Sequence, residues 1–141
     1  MITVSTRPSD AFPYVIRRHV GSGSMGVVFE AHDPALDRPV AIKTLRAPIP
    51  EIEDEGARLE LRQRFLQEAR AAAALSHPGA TTIYQVGELG ADSFIVMEWL
   101  EGRTLEETLG ERKRLPVGEA SELAISLFDT LAIQEIQERI L

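Results

Sequence analysis

Val20-Gly21-Ser22-Gly23-Ser24-Met25-Gly26-Val27-Val28-Phe29, with Pro39-Val40-Ala41-Ile42-Lys43 close behind it, is the stretch around which the chain is arranged. The first piece spaces three glycines as G-x-G-x-x-G-x-V. That spacing lets the backbone turn tightly and bare several N–H groups with no Cβ in the way, a surface suited to phosphate oxygens. By itself it is a weak signal, since dinucleotide-binding folds and chance Gly-rich loops share it. The residues after the third glycine decide. A dinucleotide fold starts a helix there, so that the helix N-terminus faces the pyrophosphate. Val27-Val28-Phe29 is β-branched and aromatic and predicts a strand instead. Tyr14-Val15-Ile16 also reads as strand, so the unit is strand, glycine loop, strand: a hairpin lid over a nucleotide.

Asp33-Pro34 and Arg38-Pro39 then signal a turn, and Val40 to Leu45 predicts a third strand. Its pleat puts Ala41 and Lys43 on one face and Val40 and Ile42 on the other. A small residue and a cation on the same face can seat an adenine ring and reach its phosphates. At this point the chain resembles a bacterial protein serine/threonine kinase of the eukaryotic-like type. The resemblance is carried by Gly21, Gly23, Gly26 and Val28 of the glycine loop and by Val40-Ala41-Ile42-Lys43 of the third strand. Two motifs in order at the family spacing are far more specific than either one.

Composition fits one globular domain: 141 residues, 44% of them hydrophobic, and a mean hydropathy of -0.07. A net charge of -7 argues against nucleic acid as a partner and gives no attraction to anionic membranes. The absence of cysteine removes disulfide and thiolate chemistry and fits a cytoplasmic protein. No apolar run approaches the roughly 20 residues of a spanning helix, and the N-terminus does not resemble a signal peptide. His19, His32 and His77 stand on separate segments, which speaks against a metal site.

Residues 1–11 read as a flexible leader, and residues 46–56, rich in proline and acid, as a loop. Ala57 to Leu75 predicts a helix from its Leu, Ala, Glu, Gln and Arg content. An apolar stripe at alternating steps of four and three runs Leu61, Phe65, position 68, Ala72, Leu75, and position 68 is Glu. A carboxylate inside such a stripe is costly without a cationic partner. Either Glu68 pairs with Lys43, or it stands at the stripe's edge and reaches solvent. The resemblance favours the pair: the helix corresponds to the kinase αC helix, and Glu68 falls where that helix carries the glutamate that aims the lysine at phosphates. The resemblance thus implies Lys43 and Glu68 as the supporting ion pair of the catalytic machinery.

Ser76-His77-Pro78-Gly79 is a turn resembling the family's connection out of αC, so His77 is read as structural. Thr81 to Val86 and Ser93 to Glu98 predict two more strands, joined by a turn over residues 87–92. The expected fold is α+β: a kinase-like small lobe, with a five-stranded antiparallel sheet and one αC-type helix over residues 12–101, then two helices of an incomplete large lobe over residues 102–141. The resemblance makes Ile95 to Gly102 the hinge, with Met97 as gatekeeper. Adenine would bond the Glu98 carbonyl and the Leu100 N–H, beneath a roof of Val20, Val28 and Ala41. Gly21, Ser22, Gly23, Ser24, Met25 and Gly26 would hold the phosphates together with Lys43.

Thr104-Leu105-Glu106-Glu107 is a Thr-x-x-Glu capping box that opens a short helix. Glu111 to Arg114 reads as a charged surface connection. Pro116 to Leu141 predicts a long helix, apolar on most sides, of the kind that expects burial all round. The resemblance covers about residues 12–131, stopping before His-Arg-Asp and Asp-Phe-Gly, so the chain reads as truncated before the catalytic loop. There is no asparagine in it, and beyond the hinge Asp129 is the only aspartate. A catalytic base and metal ligands are therefore lacking. The implied activity of the intact family is phosphoryl transfer from ATP to protein Ser or Thr. For these residues alone the expectation is weak ATP binding, with Mg reached only through the nucleotide, and no efficient transfer. The alternative is a non-catalytic, pseudokinase-like module that binds another kinase, or itself, through helix 116–141. A third possibility is that another chain supplies the catalytic portion.

Overall fold

The computed structural model describes residues 12–23, 26–45, 55–89 and 92–140. The expected leader 1–11, Ser24 and Met25 of the glycine loop, and most of the loop expected over 46–56 lie outside the described residues. In chain order the elements are β1 (Val15–Gly23), β2 (Gly26–Asp33), β3 (Arg38–Leu45), α1 (Glu55–Ala74), β4 (Ile83–Leu89), β5 (Asp92–Glu98), α2 (Leu105–Arg112) and α3 (Val117–Ile140). Two units are distinguished: residues 1–74 with 82–99, and residues 75–81 with 100–141.

The first unit is the expected five-stranded antiparallel sheet, in the order β1-β2-β3-β5-β4, with α1 packed on it. Period-2 alternation gives the sheet two distinct faces. On one, Val40, Ile42, Phe94 and Val96 are buried with Ile16 and Ala31, and Phe12 and Tyr14 close over them. Phe12 makes edge-on ring contacts with both Tyr14 and Phe94, the favoured aromatic geometry. Gly87 lies opposite Phe94, and a Cβ there would come within 2.5 Å of its ring. The β2–β3 turn is fixed by Asp33, whose carboxylate accepts the Ala35 and Leu36 N–H groups at 3.1 and 3.3 Å. Of the turn expected over residues 87–92, positions 87–89 belong to β4 and Asp92 to β5, and residues 90–91 lie outside the described residues.

On the other face, α1 buries Phe65 and Ala69 against Leu45 and Ile95, with Leu61, Leu66, Ile83 and Val86 at the margins. The buried line is therefore 61-65-69, flanked by Leu66, and not the 61-65-68-72-75 line expected from periodicity. Ala72 and Glu68 are exposed. With 100° per residue, Ala69 stands about 40° to one side of Phe65 and Glu68 about 60° to the other. The sheet selects the first side. Arg62 secures that orientation, bonding Glu88 on β4 at 2.7 Å and Ser93 on β5 at 3.2 Å.

In the second unit, the capping box forms as read. Thr104 Oγ accepts the Glu107 N–H at 3.1 Å, and the Glu107 carboxylate accepts the Thr104 N–H at 2.8 Å. α2 ends on Lys113, whose φ of 61° lies in the left-handed region. Arg112 then pairs with Glu119 at the start of α3 at 2.8 Å. His77 has the structural role expected of it: its Nδ1 accepts the Gly79 N–H at 3.0 Å and lies 3.1 Å from the Thr130 hydroxyl on α3. The burial expected all round the last helix is not found among its described side chains. Ile125, Leu127, Phe128 and Leu131 are exposed, Phe128 to 73%, and only the 75–81 segment and α2 share the unit with the helix.

Candidate nucleotide site

Residues directly opposite one another in an antiparallel pair project to the same face, so pairing register assembles a site from four strands. Two neighbouring rows cross the α1-bearing face of the first unit. The first reads Gly21 on β1, Val28 on β2, Lys43 on β3, Ile95 on β5. The second reads Arg18, Glu30, Ala41, Met97 on the same strands. A glycine of the loop and the strand lysine thus stand in one row with a single strand between them, about 9–10 Å apart at sheet spacing. Ala41 and Met97 stand in the next row. Val40 and Ile42 point into the opposite core, as the pleat required.

Val20 is the extra residue of a bulge between His19 and Gly21, and its side chain is exposed. Ser22 pairs with Val27 and Gly23 with Gly26. The Ser22 hydroxyl is 2.9 Å from His19 Nε2. Gly26 faces Leu45 on β3 so closely that a Cβ would come within 2.0 Å of the Thr44 carbonyl oxygen. Ser24 and Met25 belong to the segment outside the described residues. Glu98 is engaged at the end of β5: its N–H donates to the Thr82 carbonyl at 2.9 Å, and its carboxylate accepts the Thr82 N–H at 3.4 Å. Leu100 belongs to the second unit and is 60% exposed.

Lys43 and Glu68 are not brought together. Lys43 is half-buried on the sheet face, Glu68 is exposed on α1, and the ion pairs among the described residues do not join them. The outcome matches the edge-of-stripe alternative for Glu68, and its cause is the rotation of α1 toward the side that buries Ala69.

Three side chains near the second row were not anticipated. Arg18 Nε lies 2.5 Å from the Glu30 carboxylate, and the Arg18 guanidinium carbon lies 5.6 Å from the centre of the Trp99 ring. These residues come from two strands and a strand exit. Cross-strand register joins them, and the only sequence hint was a lone tryptophan directly after a predicted strand.

A glycine hairpin and a strand lysine on one sheet face, with one helix packed beside them, define the small lobe of a protein kinase. Residues 14–134 match the protein kinase domain family, and the chain belongs to it. Among curated relatives it is 38% identical over 119 residues to the serine/threonine-protein kinase PrkC of Bacillus subtilis, covering 84% of this chain and 17% of PrkC. It is 41% identical over 96 residues to the serine/threonine-protein kinase PknD of Chlamydia trachomatis, covering 68% of this chain and 10% of PknD. The matched part of the chain therefore spans 17% or less of these relatives' length. Among solved structures, the kinase domain of Mycobacterium tuberculosis PknI, in a single-site mutant form, superposes with a TM-score of 0.72 at 25% identity, covering 89% of this chain and 49% of that domain. The fold is that of a kinase small lobe with the start of the large lobe.

Proposed function

We propose that this chain is the ATP-binding part of a protein serine/threonine kinase. The observation that carries the proposal is the row Gly21–Val28–Lys43 beside the row that holds Ala41 and Met97. Loop N–H groups and the Lys43 ammonium both reach a phosphate laid along the first row, and an adenine rests on the small Ala41 and the apolar Met97 in the second. Glu98 and Leu100 contribute backbone groups to the base. Glu68 supports Lys43 only after α1 turns, since the two are apart in this structure.

Phosphoryl transfer needs more than a cradle. General-base assistance typically contributes about 10²–10⁴ in rate, and kinases hold their metal ions on an aspartate and an asparagine. The chain has no asparagine. Among the described residues no three of His, Cys, Asp and Glu cluster as a metal would need. In this reading magnesium arrives on the nucleotide's own phosphates, and these residues supply ATP binding rather than efficient turnover. Titration calorimetry with ATP tests the assignment: Lys43→Met should abolish the binding heat, and an unchanged affinity would refute the site. A second reading has its own observation in the exposed apolar residues of α3, since a large apolar patch usually marks a contact surface. A chain that engages another kinase, or itself, through α3 elutes above its monomer mass in size exclusion. A clean monomer with no captured kinase removes that reading.

A further inference from the structure

β1 is the outermost strand of the sheet: Ile16 anchors its start in the core, and its backbone pairs with β2 alone, through a ladder broken at Arg17 and again at Val20. A bulged edge strand bends readily. Arg18, standing between the two breaks, supplies a second attachment. Glu30 on β2 fixes its guanidinium, whose carbon stands over the Trp99 ring at cation–π distance, 5.6 Å from the centroid, directly after the end of β5. The link passes over β2 and β3, the strands that present Val28 and Ala41. Only a planar cation can take a carboxylate at its edge and an aromatic ring at its face at the same time. The Arg18 and Glu30 side chains are 61% and 21% exposed, so the link can open without unfolding the core.

Resting on the nucleotide reading of this sheet face, we propose that Arg18 is a positioning residue for the adenine. It clasps the β1–β2 hairpin to the exit of β5 and so sets the gap that the base enters. Nucleotide binding pulls on the same clasp, and Trp99, the only tryptophan in the chain, reports on it by fluorescence.

The test measures ATP affinity by calorimetry in the wild-type chain, Arg18→Ala, Arg18→Lys and Trp99→Leu, and Trp99 emission in the first three. Arg18→Ala should shift the emission of the free protein and raise the ATP Kd about three- to thirtyfold, the span of one exposed cation–π contact plus one exposed ion pair. Arg18→Lys, which keeps the charge but not the plane, should restore part of the affinity. Trp99→Leu should match Arg18→Ala in affinity. A wild-type Kd in Arg18→Ala, with or without a lower melting temperature, overturns the clasp and leaves the nucleotide site standing. A wild-type chain that takes up no ATP overturns both. Should Arg18→Ala fail to fold, wild-type affinity in both Arg18→Lys and Trp99→Leu overturns the clasp.

Discussion

Gly26 and Gly21 carry the same letter in one motif and face opposite demands. A Cβ at Gly26 would meet the carbonyl oxygen of Thr44 at 2.0 Å and its carbon at 3.1 Å, backbone atoms of the neighbouring strand that cannot swing aside. At Gly21 a Cβ has nothing within 4 Å. Gly26→Ala should therefore lower the unfolding free energy by about 1–3 kcal/mol, the usual cost of overpacking. Gly21→Ala should stay within about 0.5 kcal/mol of wild type and act on nucleotide affinity instead. Urea unfolding of the two variants separates them, and equal losses would contradict the geometry. The motif disclosed that glycine was needed at both positions, because its spacing is local. It could not disclose that one glycine answers to β3, since that contact depends on where another strand lies. The same limit hid the Arg18, Glu30 and Trp99 cluster, whose members are neighbours only once four strands are in register.

Among the elements, α2 was the most legible, because Thr104 and Glu107 satisfy each other's backbone within one turn and ask nothing of the rest of the chain. The hydrogen bond from the Thr104 N–H, with that from its hydroxyl second, holds the Glu107 carboxyl below its ordinary value. A carboxyl whose pKa is lower in the folded than in the unfolded state stabilises fully above the unfolded pKa and loses that contribution as pH falls through the folded one. The helicity of α2 should thus hold at neutral pH and decline below the ordinary carboxylate range. Glu107→Gln keeps the box and should remove that acid-side slope, as amide shifts of residues 104–108 would show; an unchanged slope would assign it to another group. α1 was legible in its existence but not in its rotation. Its twenty residues offer several small or apolar positions, Ala69 and Ala72 among them, and sequence periodicity alone did not rank them. Packing of Phe65 and Ala69 on Leu45 and Ile95, with the Arg62 bonds to Glu88 and Ser93, made the choice and left Glu68 in solvent.

At the scale of the molecule, the five-stranded antiparallel sheet came from the motifs and the resemblance they carry, whereas the strand order and the covering of the outer face did not. Phe12 and Tyr14 belong to that core although Pro13 lies between them. Tyr14 reaches Gln85 on β4 through its hydroxyl. Burial, and after it the charge of Asp33, raises the Tyr14 phenol above its ordinary value, with Arg38 opposing them. The unfolded chain gives up this proton at lower pH than the folded chain, so the contribution is intact below the ordinary phenol range and is lost as pH rises through the folded pKa. Melting temperature should fall above about pH 10, and Tyr14→Phe should flatten that alkaline limb relative to wild type. An identical limb in the variant would place the titration elsewhere. The net charge of -7 says nothing of this, because it sums groups without regard to where they lie.

The two interruptions in β1 have a consequence for life in a crowded solution. An uninterrupted outer strand of nine residues would offer a continuous row of amides to any passing chain, the starting point for templated growth into fibres. Breaks at Arg17 and Val20 leave paired runs of only two or three residues, and the cation Arg17 stands at the first of them. A foreign strand cannot lie flush along such a border, so the irregularity protects this edge of the sheet from edge-to-edge pairing between copies.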